Sequence, residues 1–375
     1  MTGTEDPRLF GLDRTNLSFA VRGEGGWGKN KFNNAFPISL LCYMHSKGLD
    51  LPYIRAETVN SVVQVGRSRI AVSEVLGAVP ELCIFDFEGV FPPFDAFVAG
   101  SPNKSDVIVQ SLDLVPLRAL EIKLTVVPDN ATAQMPHDVQ ASEFVTRPLM
   151  VELLATNICM AYGTEGRTRL NETLLTTLGN PNNWEWLRQE DMLERLHLVK
   201  SALERVLSDP EVSQTPMVVQ PVWRTEGQTM ILEEQCFDVF IWSDFGVVLL
   251  YLSSIVRHLC SRVPRSRITR EARSAVWLTK MLWDYSTAGQ LTMSEVTKEI
   301  SFGKQQDKAG TFSGKVTFDY LNGPELSCPR VPKSAVGDII LNGGVGYLRP
   351  ERRLDATLLA DGSLAGAAPR SATDP

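Results

Sequence analysis

Leu120-Glu121-Ile122-Lys123-Leu124-Thr125-Val126 alternates residue by residue. Leu120, Ile122, Leu124 and Val126 are apolar and Glu121, Lys123 and Thr125 polar, which is the period of a β-strand with one buried face. Such a strand sets Glu121 and Lys123 side by side on its other face. A second acid, Asp95, lies 26 positions upstream in the apolar segment Pro93-Phe94-Asp95-Ala96-Phe97-Val98. If the two segments are neighbouring strands, Asp95, Glu121 and Lys123 meet. Positions 95 and 121 are equidistant from residue 108, so a symmetric meander would bring them level.

The chain around this stretch is that of a water-soluble globular protein. Its 375 residues are 43% hydrophobic and 22% charged, enough to bury a large core. No apolar run suffices to span a bilayer; Phe245 to Val256 reads as a core helix. Met1 to Pro7 has neither a basic start nor an apolar signal core, so a cytoplasmic location is expected. The six cysteines are scattered, mostly within apolar segments, and the four histidines show no metal-binding spacing. Reduced, buried thiols are expected, and zinc or histidine-triad chemistry is disfavoured. The net charge of −7 argues against binding nucleic acid by bulk electrostatics, although Ser254 to Trp283 carries seven basic residues against one acid.

Taken in order, Arg22 to Asn34 is dense in glycine and asparagine and predicts a loop. It is either a plain surface connection or a nucleic-acid contact through Lys29, Asn30 and Lys31. Residues 38–50 predict a short buried helix, and 54–76 an amphipathic helix followed by a helix or strand. Leu82 to Val90, Phe94 to Val98, Val107 to Val109 and Leu117 to Val127 read as strands. Asp138 to Tyr162 and Trp184 to Leu207 read as helices, Met217 to Trp223 and Phe237 to Trp242 as strands, and an arginine-rich helix ends near Tyr285. A strand at Lys315 to Tyr320 and a disordered tail at 361–375 complete the pattern. The order predicts an α/β protein, one sheet flanked by helices.

A carboxylate pair beside a lysine suits phosphodiester hydrolysis. Two acids can hold Mg²⁺, a hard ion that prefers oxygen ligands and lowers the pKa of bound water. A lysine can position or deprotonate that water and stabilise developing charge. Of all the lysines, only Lys123 has an acid two positions before it. The alternatives are an edge-turn role for Asp95 and a solvated strand face for Glu121 and Lys123; Glu57, Glu74 and Glu88 are candidates for a further carboxylate, with an exposed helix-surface acid the favoured reading of Glu57 and Glu74.

Pro93-Phe94-Asp95 followed by Glu121-Ile122-Lys123 resembles the PD-(D/E)xK nuclease signature, with Phe94 inserted before the aspartate. The longer run Leu120 to Thr132 is similar to the HindVP/HgiDI group of type II restriction endonucleases. The resemblance implies a PD-(D/E)xK core with a central mixed β-sheet flanked by helices. It also implies Mg²⁺-dependent cleavage of double-stranded DNA by a homodimer at a short palindrome of the type GRCGYC. Asp95 and Glu121 would then be metal ligands, with the Ile122 carbonyl beside them, and Lys123 the catalytic lysine. A single nuclease unit over 1–360 is expected, with a catalytic core at about 50–260 and a DNA-contacting part at about 261–360.

A palindromic target requires two-fold symmetry, each subunit reading one half-site. Arg265, Arg267, Arg270 and Arg273 suit phosphate contacts or a solvated helix face. Lys304, Gln305, Gln306 and Lys308 suit base-edge reading or a plain polar loop. Competing functions are a repair or recombination nuclease without sequence preference, and a non-catalytic DNA-binding protein on the same fold. A sugar hydrolase built on paired carboxylates leaves the lysine without a role.

Overall fold

A computed structural model describes residues 29–59, 62–123, 148–186, 188–213 and 270–292, with short segments at 217–219, 224–226, 229–231 and 240–243 and residue 256. Its N-terminal part comprises α1 (Lys29–Ser46), β1 (Leu51–Val59), β2 (Val62–Ile70), α2 (Val72–Leu76) and β3 (Cys83–Val90). A 3-10 turn (Pro92–Ala96) leads to β4 (Val98–Ala99), β5 (Lys104–Ser111) and β6 (Pro116–Lys123). The helices α3 (Pro148–Tyr162), α4 (Arg167–Leu178), α5 (Gln189–Leu207) and α6 (Pro210–Ser213) follow. Then come β7 (Met217–Val219), β8 (Arg224–Glu226), β9 (Thr229–Ile231), β10 (Phe240–Ser243), α7 (Arg270–Ala288) and β11 (Leu291–Thr292).

Seven strands form one sheet in the order β2-β1-β7-β10-β6-β5-β3. Every pairing within it is antiparallel, which corrects the expectation of a mixed sheet. The connections explain this in part: β1–β2 and β5–β6 are joined by a few residues, and a parallel neighbour needs a crossover of a dozen or more. A parallel pair does exist, β4 with β11, but it stands apart from the main sheet.

Residues 54–76 were expected to begin as a helix. They form the second half of β1, all of β2 and the short α2, with Val59 paired to Val62 across a tight reversal. Their β-branched content suits a pleated strand better than a helix. The expected strand at Phe94 to Val98 is the 3-10 turn followed by two residues of β4. Pro92 and Pro93 open that turn, where a missing N–H leaves no bond unmade. The glycine-rich stretch expected as a loop already contains the start of α1 at Lys29. The expected elements at 245–255 and 315–320, and the tail at 361–375, lie outside the described residues.

One face of the sheet is covered by α1 and α2. Ile38, Leu40, Leu41 and Met44 of α1 and Val72, Val75 and Leu76 of α2 share a core with Phe85, Phe87, Val107, Val109, Leu120 and Ile122. The second core is helical. In α5 Met192, Leu196, Val199, Leu203 and Val206 form a buried stripe at helical spacing, with Glu190 and Asp191 in the first turn and Arg205 in the last, as the helix dipole favours. That stripe packs with Leu170, Leu174 and Leu178 of α4, a helix the sequence reading did not anticipate, and with Trp277 and Tyr285 of α7. Thus α7, expected in a separate DNA-contacting part beyond residue 261, shares a core with helices expected in the catalytic part.

A small third cluster joins the two layers. Phe91 and Phe94, Ile108 of β5, Ala119 of β6 and Leu153 of α3 pack together on the sheet face opposite α1. This cluster orients the surface on which the acids of β5 and β6 stand.

Candidate active site

On β6 the alternation is as expected. Leu120 and Ile122 enter the core under α1, whereas Ala119 belongs to the cluster under α3. Glu121 therefore shares the face of Ala119, and it is 8% exposed. On β5 Val107 and Val109 enter the first core and Ile108 the opposite cluster, so Asp106 and Ile108 share the face of Glu121.

The register brings two acids together. Val107 pairs with Leu120, so the next step along the strands sets Asp106 level with Glu121. The Asp106 carboxylate also takes part in holding the strands: its Oδ2 accepts a hydrogen bond from the Ile122 backbone N–H at 2.8 Å. An ionised acceptor makes this bond stronger than an amide–carbonyl bond and ties the carboxylate to the backbone directly after Glu121. On the other side of β6, Trp242 of β10 pairs with Glu121 and Phe240 with Lys123, so the Glu-x-Lys strand is interior to the sheet.

Asp95 is placed differently from expectation. It is exposed, in the 3-10 turn, while its neighbour Phe94 is 1% exposed and packs against Ile108 and Ala119. Its segment is not a strand paired with β6; that neighbour is β5. The acid level with Glu121 is Asp106, 15 positions upstream, which the sequence reading missed. The signal was present: Asp106 heads the run Asp106-Val107-Ile108-Val109, and a short turn after residue 111 returns the chain as β6.

Among the other acids, Glu57 lies on β1, with β7 and β10 between it and β6. Three strand spacings amount to about 14 Å, beyond direct reach of the pair. Glu74 is exposed on α2, which packs on the opposite face of the sheet. Glu88 is better placed. Phe87 pairs with Val107 and Gly89 with Ser105, so Glu88 falls level with Asp106. It is in the left-handed region with φ of 57°, a conformation that strains a residue bearing a Cβ. A Cβ on the following Gly89 would lie 2.7 Å from Asp86 Oδ2 and 3.0 Å from Ile108 Cγ1. The backbone of β3 thus passes close against the acidic face.

The donor set suits Mg²⁺. Among the described residues no three acidic, histidine or cysteine side chains converge to hold a metal by themselves. Mg²⁺ is commonly bound through one or two carboxylates, with waters and substrate phosphates completing its shell, so Asp106 and Glu121 are an appropriate pair.

Glu152, on α3 above this face, is 5% exposed, and its Oε2 accepts from Asn103 Nδ2 at 2.6 Å. Burial holds its carboxyl above the usual carboxylate range, and the Asn103 bond offsets part of that effect. In the helical layer, burial likewise pushes the Tyr285 phenol up to about 12.

The basic residues divide sharply. Arg273 is 7% exposed, on a helix packed against α3, α4 and α5, which does not match either a phosphate-facing or a solvated side chain. Arg270 begins α7, and Lys29, Asn30 and Lys31 begin α1. Arg265, Arg267, Lys304, Gln305, Gln306 and Lys308 lie outside the described residues. The described cysteines Cys42, Cys83 and Cys159 are buried thiols. No described helix is long and apolar enough to cross a membrane.

The known proteins that this chain resembles over most of its length are type II restriction endonucleases, site-specific deoxyribonucleases. The chain is 34% identical over 357 residues to the type II restriction enzyme HgiDI of Herpetosiphon aurantiacus, covering 94% of this chain and 96% of that one. It is 32% identical over 357 residues to the probable type II restriction enzyme HindVP of Haemophilus influenzae, covering 94% of this chain and 93% of that one. The HindVP restriction endonuclease family model matches residues 27–364, and the chain belongs to that family. No solved structure matches it.

Proposed function

We propose that this restriction endonuclease hydrolyses phosphodiester bonds of double-stranded DNA with Mg²⁺ held by Asp106 and Glu121. The observation that carries the reading is their common level on adjacent strands, with the Asp106 carboxylate fixed to the Ile122 N–H at 2.8 Å. The arrangement supports a nuclease core of the PD-(D/E)xK type in which Asp106, rather than Asp95, is the first acid.

When bound, Mg²⁺ supplies a Lewis acid that lowers the pKa of coordinated water and offsets charge growing on the phosphate. The Ile122 carbonyl, on the backbone between Glu121 and Lys123, is a further oxygen donor for it. The two carboxylates orient the attacking water against phosphorus. Lys123 receives or positions the proton of that water as the new P–O bond forms and the leaving P–O bond breaks, and its charge stabilises the equatorial oxygens.

The target is a short palindrome, of the type GRCGYC that the resemblance of Leu120 to Thr132 implies, cut by a homodimer whose subunits each read one half-site. The basic segment Arg265, Arg267 and Arg270 supplies phosphate contacts, with Lys29, Asn30 and Lys31 at the start of α1; Lys304, Gln305, Gln306 and Lys308 read base edges. The protein acts in the cytoplasm, where its thiols stay reduced.

Digestion of a plasmid of known sequence tests this reading. Discrete bands whose ends map to one palindrome, formed with Mg²⁺ and abolished by a chelator, are expected. Glu121→Ala and Lys123→Ala should stop cleavage while gel-shift binding in Ca²⁺ persists. Normal cutting by both variants would remove the site from consideration.

A further inference from the structure

Two consecutive residues of α3 hold β5 on either side of Asp106. Glu152 accepts from Asn103, which immediately precedes β5, at 2.6 Å. Leu153 packs against Ile108, two residues beyond Asp106 on the same face. Asp106 is thus bracketed by attachments at positions 103 and 108, both made by one helical turn.

The Asn103 attachment is unlike an ordinary surface contact. Glu152 is 5% exposed, and burying a carboxyl group costs stability unless its polar atoms are satisfied. Thr156 and Asn157, on the next turn, direct their side-chain donors back to the carbonyls of Glu152 and Leu153, at 2.9 Å each, so the turn that carries the acid is internally braced. At the other end of the chain of contacts, Asp106 reaches across to the Ile122 N–H. The path runs from α3 through Asn103 and the first residues of β5 to the carboxylate beside Glu121.

We propose that Glu152, acting through Asn103, is a positioning residue for DNA cleavage that fixes the leading end of β5 and hence the placement of the Asp106 carboxylate. This role rests on the proposed use of Asp106 in metal binding. Groups that orient metal ligands typically change metal affinity or activity by about 10–100-fold when removed.

The test uses the full-length protein and a plasmid carrying its cleavage site, with cleavage rate measured against Mg²⁺ concentration. Asn103→Ala and Glu152→Ala should each raise the Mg²⁺ needed for half-maximal rate by about tenfold or more. The double variant should be no worse than the weaker single one, because both remove the same contact. Glu152→Gln keeps an acceptor carbonyl for the Asn103 amide and should stay within about twofold of the parent, the usual error of additivity. Thermal melting separates positioning from folding: a lowered Tm with an unchanged Mg²⁺ requirement overturns the proposal. If Glu152→Ala does not fold, the half-buried Asn103 decides alone. Asp106→Asn serves as control. Should it cleave like the parent, the site reading itself fails; should it be inactive while Asn103→Ala keeps the parental Mg²⁺ requirement, the positioning role alone fails.

Discussion

Replacing Asp106 by asparagine should separate activity from stability in opposite directions. The substitution keeps the side chain's size and an oxygen that can accept from the Ile122 N–H, now at 2.8 Å from a charged acceptor. Exchanging a charged acceptor for a neutral one weakens that bond by about 1 kcal/mol. Against this stands relief of repulsion. Asp106 is level with Glu121 on the adjacent strand. Charges about 5 Å apart repel by roughly 3 kcal/mol at an effective dielectric constant near 20, with solvent and counter-ions reducing the figure. The folded protein should therefore melt at the parental temperature or slightly above it. The chemistry should suffer, since loss of a preorganised charge at a reacting phosphate is worth about 3–4 kcal/mol, or 10²–10³ in rate. Plasmid cleavage under single-turnover conditions measures the rate, and differential scanning calorimetry the melting. Cleavage within about tenfold of the parent, or melting lowered by more than about 5 °C, would refute the reasoning, the second because one or two kcal/mol of lost stability then explains the inactivity.

Asp95→Asn provides the contrast: as an exposed turn substitution it should change stability by less than about 0.5 kcal/mol and leave cleavage intact, as read by urea melting and the same plasmid assay. Gly89→Ala should lower the urea midpoint by the equivalent of about 1–3 kcal/mol, because its methyl would crowd Asp86 Oδ2 and Ile108 Cγ1. Glu88→Gly removes a left-handed strain of about 1–2 kcal/mol and adds a comparable entropy cost, so stability should hold, whereas Glu88→Val should lose it; equal midpoints for both would show that the φ of 57° carries no strain. Glu152 gives a pH dependence. Its folded pKa is raised, so the folded state binds the proton more tightly, and the associated stability is present below the ordinary carboxylate pKa and lost as pH rises through the folded value. Glu152→Gln removes that titration, and its melting temperature should gain on the parent's as pH rises above the ordinary carboxylate range; parallel curves would show that burial does not shift the acid.

The part of this structure legible in the sequence is the strand whose two faces differ in polarity. In β6 the core takes Leu120 and Ile122 and leaves Glu121 on the other side, so alternation exposes the strand. In β5 both faces are covered, Val107 and Val109 by α1 and Ile108 by α3, so alternation disappears and Asp106 looks like a turn residue beside Lys104. Asp95 stands close after a proline in an apolar segment, a pattern that predicts a strand; the paired prolines instead open a 3-10 turn. The β1–β2 hairpin has apolar spacing that fits both the helical and the strand period over short windows, so its sequence does not distinguish the two. By contrast α4 carries a readable signal, buried leucines at 170, 174 and 178. Pairing over long sequence distances, such as β6 with β10, has no local signature at all.

That last pairing bears on when the enzyme becomes active. Glu121 lies on a strand whose inner neighbour, β10, is translated some 120 residues after β6 ends at Lys123. At about 5–20 residues per second, roughly 6–24 s separate synthesis of the acids from synthesis of the strand that encloses them. A nascent chain thus carries the proposed metal-binding acids without a completed sheet to hold them, and a ribosome-bound fragment ending before Phe240 is expected to leave DNA intact. For a protein that endangers the genome of the cell making it, late closure of the sheet delays the hazard until nearly two thirds of the polypeptide exists.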